Sequence, residues 1–177
     1  MRRHFSLIVF IFIIASLNTV FAADKKDQTC PMPKQVSSPA FDLLKSLSGT
    51  WKGTWVVGDR KQPMQVKYRV TSGGTAVEET IFPNTPQEMV SVYTLRDGKV
   101  HMTHYCMLGN QPHMIETDSD AHHLRMKFTK TPGINPKKDS YMGGLNLIKK
   151  DDHHIIYSGD GFKEGKPQPC NEMVLTK

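Results

Sequence analysis

From Thr50 onward the chain keeps no helical period; short segments rich in β-branched and aromatic residues alternate instead with turn signals. TWKGTWVV, MQVKYRVT, TAVEETIF, EMVSVYTL and KVHMTHYCM come first, then HMIETD, HHLRMKFT, YMGGLNLI, HHIIYSG and CNEMVLT. Gly58-Asp59, Gly73-Gly74, PNTP and Asp97-Gly98 punctuate the first half. This predicts about ten strands, spaced by roughly 8 to 14 residues and joined mostly by hairpin turns. An antiparallel meander of that length must hide its edges, and closure into an up-and-down barrel removes them. A two-sheet sandwich would need longer crossovers than these turns supply. Ahead of the strands, Ser38 can cap a helix, Pro39 suits its first position and Gly49 ends it. Phe41, Leu44 and Leu47 recur at helical spacing. The expected fold is therefore all-β: an antiparallel barrel of about ten strands with one short N-terminal helix, over residues 38–177.

Residues 1–22 read as a signal peptide. Arg2, Arg3 and His4 form a basic start, LIVFIFIIASL is too short for a comfortable membrane span, and Val20 and Ala22 fit a signal-peptidase site. Cleavage after Ala22 predicts an exported protein, periplasmic or secreted, with no membrane attachment afterwards. Residues 23–37 are polar and Pro-containing and read as an extended lead. The formal charge of the whole chain is +6, and its charges are interspersed; a nucleic-acid partner has no patch to bind. Of the three cysteines, Cys30, Cys106 and Cys170, two can pair in an oxidising compartment. The expectation is a Cys30–Cys170 disulfide, because the last strand of a closed barrel lies beside the first, near where the lead enters. Cys106, mid-strand among apolar residues, is expected to stay reduced.

HMTHYCMLGNQP, residues 101–112, is the densest run of chemically active side chains. Asp97-Gly98 is a strong type I′ signal, so partner numbers across this hairpin sum to 195. Leu95 then faces Val100, Tyr93 faces Met102, Ser91 faces His104, and Met89 faces Cys106. These eight share one side of the sheet. Val90, Val92, Thr94, His101, Thr103 and Tyr105 take the other. The first side is more apolar and is assigned inward. His101 and His104 then point apart and cannot share a metal ion. Ser91 opposite His104 has the first two parts of a hydrolytic triad, but no Asp or Glu stands on that face, and no G-x-S-x-G occurs. A hydrogen-bonded polar pair is the expectation. Glu78 and Glu79 alternate faces and make no carboxyl pair. Trp51 and Trp55 read as packing at the barrel base, and His122-His123 and His153-His154 as solvated turn residues.

Helix, then LSGTWKGTW, then a ten-strand meander resembles the calycin barrels, which include lipocalins, fatty-acid-binding proteins and the haem-binding nitrobindins. Gly49-Thr50-Trp51 matches the G-x-W of that superfamily's first strand. YRVTSGGTAVEETIFPNTPQEMVSVYTL and THYCMLGNQPHM are similar to uncharacterised bacterial lipocalin-like proteins, over most of residues 41–160. The resemblance implies the barrel fold; a barrel of this size can enclose one ligand, and the leading expectation is a small, mostly apolar one. His104, Ser91 and Tyr93 would supply polar groups, and Met89, Met102, Leu95 and Cys106 the wall. No cofactor or metal is expected on this reading. The alternative is haem or another metal-centred cofactor, with His104 as candidate axial ligand; a nitrobindin-like ligand would lie late in the chain, where His153 and His154 follow a charged turn. An enzyme using His104 as general base is the third reading.

Overall fold

The computed structural model describes residues 34, 37–57, 59–169 and 172–177. Cys30, Cys170, the signal segment and most of the polar lead fall outside the described residues, so the expected disulfide does too.

Helix α1 spans Pro39–Ser46. It starts where expected: the Ser38 hydroxyl accepts from the Phe41 backbone N–H at 3.2 Å, and Pro39 follows it. Asp42 in its first turn and Lys45 in its last complement the helix dipole. The strands are β1 (Gly49–Val57), β2 (Arg60–Thr71), β3 (Ala76–Ile81), β4 (Met89–Arg96), β5 (Lys99–Tyr105), β6 (His113–Ser119), β7 (His123–Phe128), β8 (Ser140–Lys149), β9 (His154–Lys163), β10 (Lys166–Pro167) and β11 (Met173–Thr176).

Neighbours in sequence pair antiparallel from β1 round to β9; β11 then inserts between β9 and β1 and closes the ring. The result is a closed ten-stranded antiparallel barrel with β10 as a short rim hairpin on β9. Both halves of the type I′ signal hold, with Asp97 at φ 52° and Gly98 at φ 75°. The β4–β5 register is the expected one, from Arg96–Lys99 through Ser91–His104 to Val90–Tyr105.

Helix α1 covers one end of the barrel. Phe41, Leu44 and Leu47 are wholly buried there, and the Trp51 indole donates to the Leu47 carbonyl at 2.7 Å. Because the strands run antiparallel, the turns at 72–75, 97–98, 120–122 and 150–153 come to this same end. Above it the interior is packed with Val100, Leu124, Leu147, Ile155 and Leu175. Loops 82–88, 106–112 and 129–139 stand at the opposite end, which is open.

Two expectations need correction. Cys106 is not mid-strand: β5 ends at Tyr105, and Cys106 opens a turn in which its carbonyl accepts from the Gly109 N–H at 2.9 Å. The glycine sits at φ 80°, so the chain reverses before a Met89–Cys106 ladder pair can form. Trp55 shares the inward phase of Trp51, but β1 runs from the helix end to the open end. Trp51 is therefore base packing, whereas Trp55 is 36% exposed at the mouth and tilts against Phe82 with ring centroids 5.6 Å apart.

Candidate functional site

The open end leads into a cavity of about 1360 Å³. Its walls are mainly apolar, drawn from Met64, Phe82, Met89, Met142, Tyr157 and Met173, with Trp55 and Phe162 nearer the rim. A stack of rings stiffens one side: Tyr141 lies over Phe162 at 5.5 Å and meets Phe128 at 4.6 Å. The loop after β5 is held to β8 by Asn110, whose side-chain N–H donates to the Ser140 carbonyl at 2.8 Å.

His104 lines this cavity and is the polar residue that joins it to the packed interior below. It belongs to one level of the barrel. Tyr68 is directly opposite Glu79, Glu79 opposite Ser91, and Ser91 opposite His104, so four adjacent strands contribute one polar row. All four side chains are buried. Tyr68 Oη donates to Glu79 Oε1 at 2.6 Å, and Tyr93 Oη, one pleat away, donates to Oε2 at 2.9 Å. Ser91 Oγ meets His104 Nδ1 at 3.0 Å. Among the described residues His104 Nε2 has no partner; with Nδ1 turned to Ser91, it is the ring nitrogen left for the cavity.

Burial sets the protonation of this row. It disfavours the imidazolium and pulls His104 from its usual 6.5 down to about 4, so the ring is neutral at pH 7. Glu79 is pushed up by burial, while hydrogen bonds from Tyr68, Ser91 and Tyr93 pull the other way. Among the described residues no Lys, Arg or His forms an ion pair with Glu79; the hydroxyls of Tyr68 and Tyr93 donate to it instead. Tyr68 and Tyr93 are raised well above 10 by burial and by the neighbouring carboxyl, so both remain donors. Burial also raises the Cys106 thiol, which is free and half-buried at the cavity edge.

The seven residues singled out in the sequence fall into two groups. His104, Met89 and Cys106 line the cavity. Ser91, Tyr93 and Met102 lie fully buried beneath it, and Leu95 packs against the core near the Asp97-Gly98 turn. Glu79 is the residue sequence reasoning missed. The β4–β5 hairpin itself carries no acid inward, but β3 lies next to β4 and supplies one. The pattern Val77, Glu79, Ile81 at period two was the signal, since two strongly apolar neighbours in phase place the glutamate inward. Glu78, in the opposite phase, faces out and pairs with Arg69 at 2.7 Å.

The order of the row decides its chemistry. In a triad the base stands between nucleophile and acid. Here Ser91 stands between Glu79 and His104, so the carboxyl orients a hydroxyl, and the hydroxyl orients the imidazole. Such a chain fixes which hydrogen-bonding character Nε2 shows to the cavity. Among the described residues no three of His, Cys, Asp and Glu cluster as metal ligands. The outer histidines are engaged locally: His123 Nε2 with Asn146 at 2.8 Å and His154 Nδ1 with Asp151 at 3.0 Å. No family model matches the chain, and no curated protein does.

Proposed function

We propose that this protein is an exported calycin-type barrel that holds a small, mostly apolar molecule in the open end of its interior. One observation carries the reading: a cavity of about 1360 Å³ with apolar walls ends on a single neutral imidazole whose Nε2 lacks a partner among the described residues. Small-molecule sites have this composition, an apolar envelope with a few placed polar groups. Met64, Met89, Met142 and Met173 supply flexible thioether wall that adapts to varied shapes. A base of pKa about 4 abstracts protons poorly at neutral pH, which favours holding over general-base catalysis. Among the described residues no helix is long and apolar enough to cross a membrane.

Native mass spectrometry of protein purified from its own host tests the reading. Retention of an added mass in the lipid range, lost on organic extraction, is the expected outcome. A barrel of bare polypeptide mass that also takes up no hydrophobic fluorophore would overturn it. Intact mass tests the export element: loss of residues 1–22, leaving a single domain over 38–177 behind the lead 23–37, is expected. A full-length chain in the membrane fraction would sink it.

A haem reading is favoured by one feature. Ser91 holds Nδ1 of His104, which leaves Nε2 of a cavity-lining imidazole as the nitrogen that would bind a haem iron. A Soret band in purified protein that disappears in His104→Ala would establish it; absence of the band after haem addition removes it.

A further inference from the structure

We propose, resting on the ligand-holding reading above, that the site selects uncharged ligands bearing a hydrogen-bond donor, alcohols above all, and discriminates against carboxylates. Tyr68 and Tyr93 each have one hydroxyl hydrogen, and each gives it to a different oxygen of Glu79. Ser91, directly opposite Glu79, also has one hydrogen, and the Glu79 carboxyl, Tyr93 Oη and His104 Nδ1 all neighbour it. With Glu79 ionised, as the two tyrosine donors on its oxygens favour, the negative charge takes it, because a charge-assisted hydrogen bond is the stronger. Ser91 Oγ must then accept from His104, which places the imidazole hydrogen on Nδ1. Nε2 is left as a bare lone pair facing the cavity.

A ligand hydroxyl donates to that lone pair and completes the row. A ketone or ether presents a second lone pair and leaves both groups unsatisfied. A carboxylate fares worse: it brings negative charge into an apolar space backed by a buried acid, and the neutral imidazole offers no cation. Lys163 lines the cavity, but on the rim side at the end of β9, away from the His104 floor.

The test uses three ten-carbon probes of matched length: 1-decanol, 2-decanone and decanoate, at pH 7.5. Each is titrated against the mature protein loaded with N-phenyl-1-naphthylamine, a neutral fluorophore. Wild type should release the fluorophore to decanol at about tenfold lower concentration than to either competitor, the scale of one unmade buried hydrogen bond. Glu79→Gln turns the logic round: a carboxamide N–H donates to Ser91, Ser91 donates to Nδ1, and Nε2 carries the hydrogen. The ketone should then equal or surpass the alcohol. Ser91→Ala, which cuts the row without touching the acid, should bring alcohol and ketone to near parity and serves if Glu79→Gln does not fold.

Decanoate or decanone displacing as well as decanol from wild type would overturn the proposal, as would an alcohol preference unchanged in the foldable variants. A protein that binds none of the probes refutes the holding role itself. A protein that binds all three alike leaves holding intact and refutes the selectivity alone.

Discussion

His104 keeps its proton off in the folded protein down to about pH 4, whereas the unfolded chain takes it up near 6.5. Between those values the unfolded state binds more protons, so stability falls as pH falls, by about 3 kcal/mol once both states are charged. Denaturant unfolding at pH 7.5, 5.5 and 4 should show wild type losing about that much more than His104→Gln; parallel losses would mean the imidazole is not buried neutral. His101, on the outer face opposite Thr94, should tolerate alanine within about 0.5 kcal/mol. Tyr68→Phe removes the donor at 2.6 Å from Glu79 and should cost about 1–3 kcal/mol. The lost bond favours the charged carboxylate, so the penalty should grow with pH as Glu79 ionises; a phenylalanine variant as stable as wild type at pH 8 would contradict the row. The Ser91–His104 contact was legible because Asp97-Gly98 is a two-residue turn, which fixes partners by counting. Glu79 was not, because β3 reaches β4 through the longer 82–88 loop, and no count across such a loop sets the register.

The elements themselves were legible where alternation is strong and caps are explicit. Ser38, Pro39 and the Phe41–Leu44–Leu47 stripe located α1 because each acts within one or two turns of the chain. What the sequence hid were irregularities that depend on a neighbour. The β6–β7 ladder shifts between Glu116 and Asp118, and β8–β9 between Met142 and Gly144. Each extra residue changes the phase of the strand beyond it. Gly53 is similarly a neighbour's requirement. A Cβ there would stand 2.5 Å from the Val174 carbonyl oxygen and 2.6 Å from Leu175 Cδ2. Gly53→Ala must push β11 off β1, and overpacking of this kind costs about 1–3 kcal/mol. A fall in Tm is expected, while Gly98→Ala, with open space around the side chain but φ of 75°, tests strain without collision. A Gly53 variant of unchanged Tm would show that the two strands are not in close contact.

As a whole the barrel is unevenly zipped. β1 and β2 stay in register from Gly49–Tyr68 to Val57–Arg60, but β1 and β11 register only at Lys52–Thr176 and Gly53–Leu175 among the described residues. Local opening should begin at that seam. Hydrogen exchange should be faster in Met173–Thr176 than in the β4–β5 ladder; equal protection would indicate a barrel that opens only globally. Avoidance of free edges is enough to require closure of the barrel. It does not divide the late chain into a rim piece, β10, and a closing piece, β11.

Gly53 and its partner Leu175 lie 122 positions apart. A ribosome adding about 5–20 residues per second therefore needs on the order of ten seconds to deliver the strand that covers the edge of β1. Throughout that interval the nascent chain carries an exposed hydrogen-bonding edge. Nothing made earlier can close the ring, so the polypeptide remains threadable while it is being synthesised and acquires its inside only when its late strand arrives.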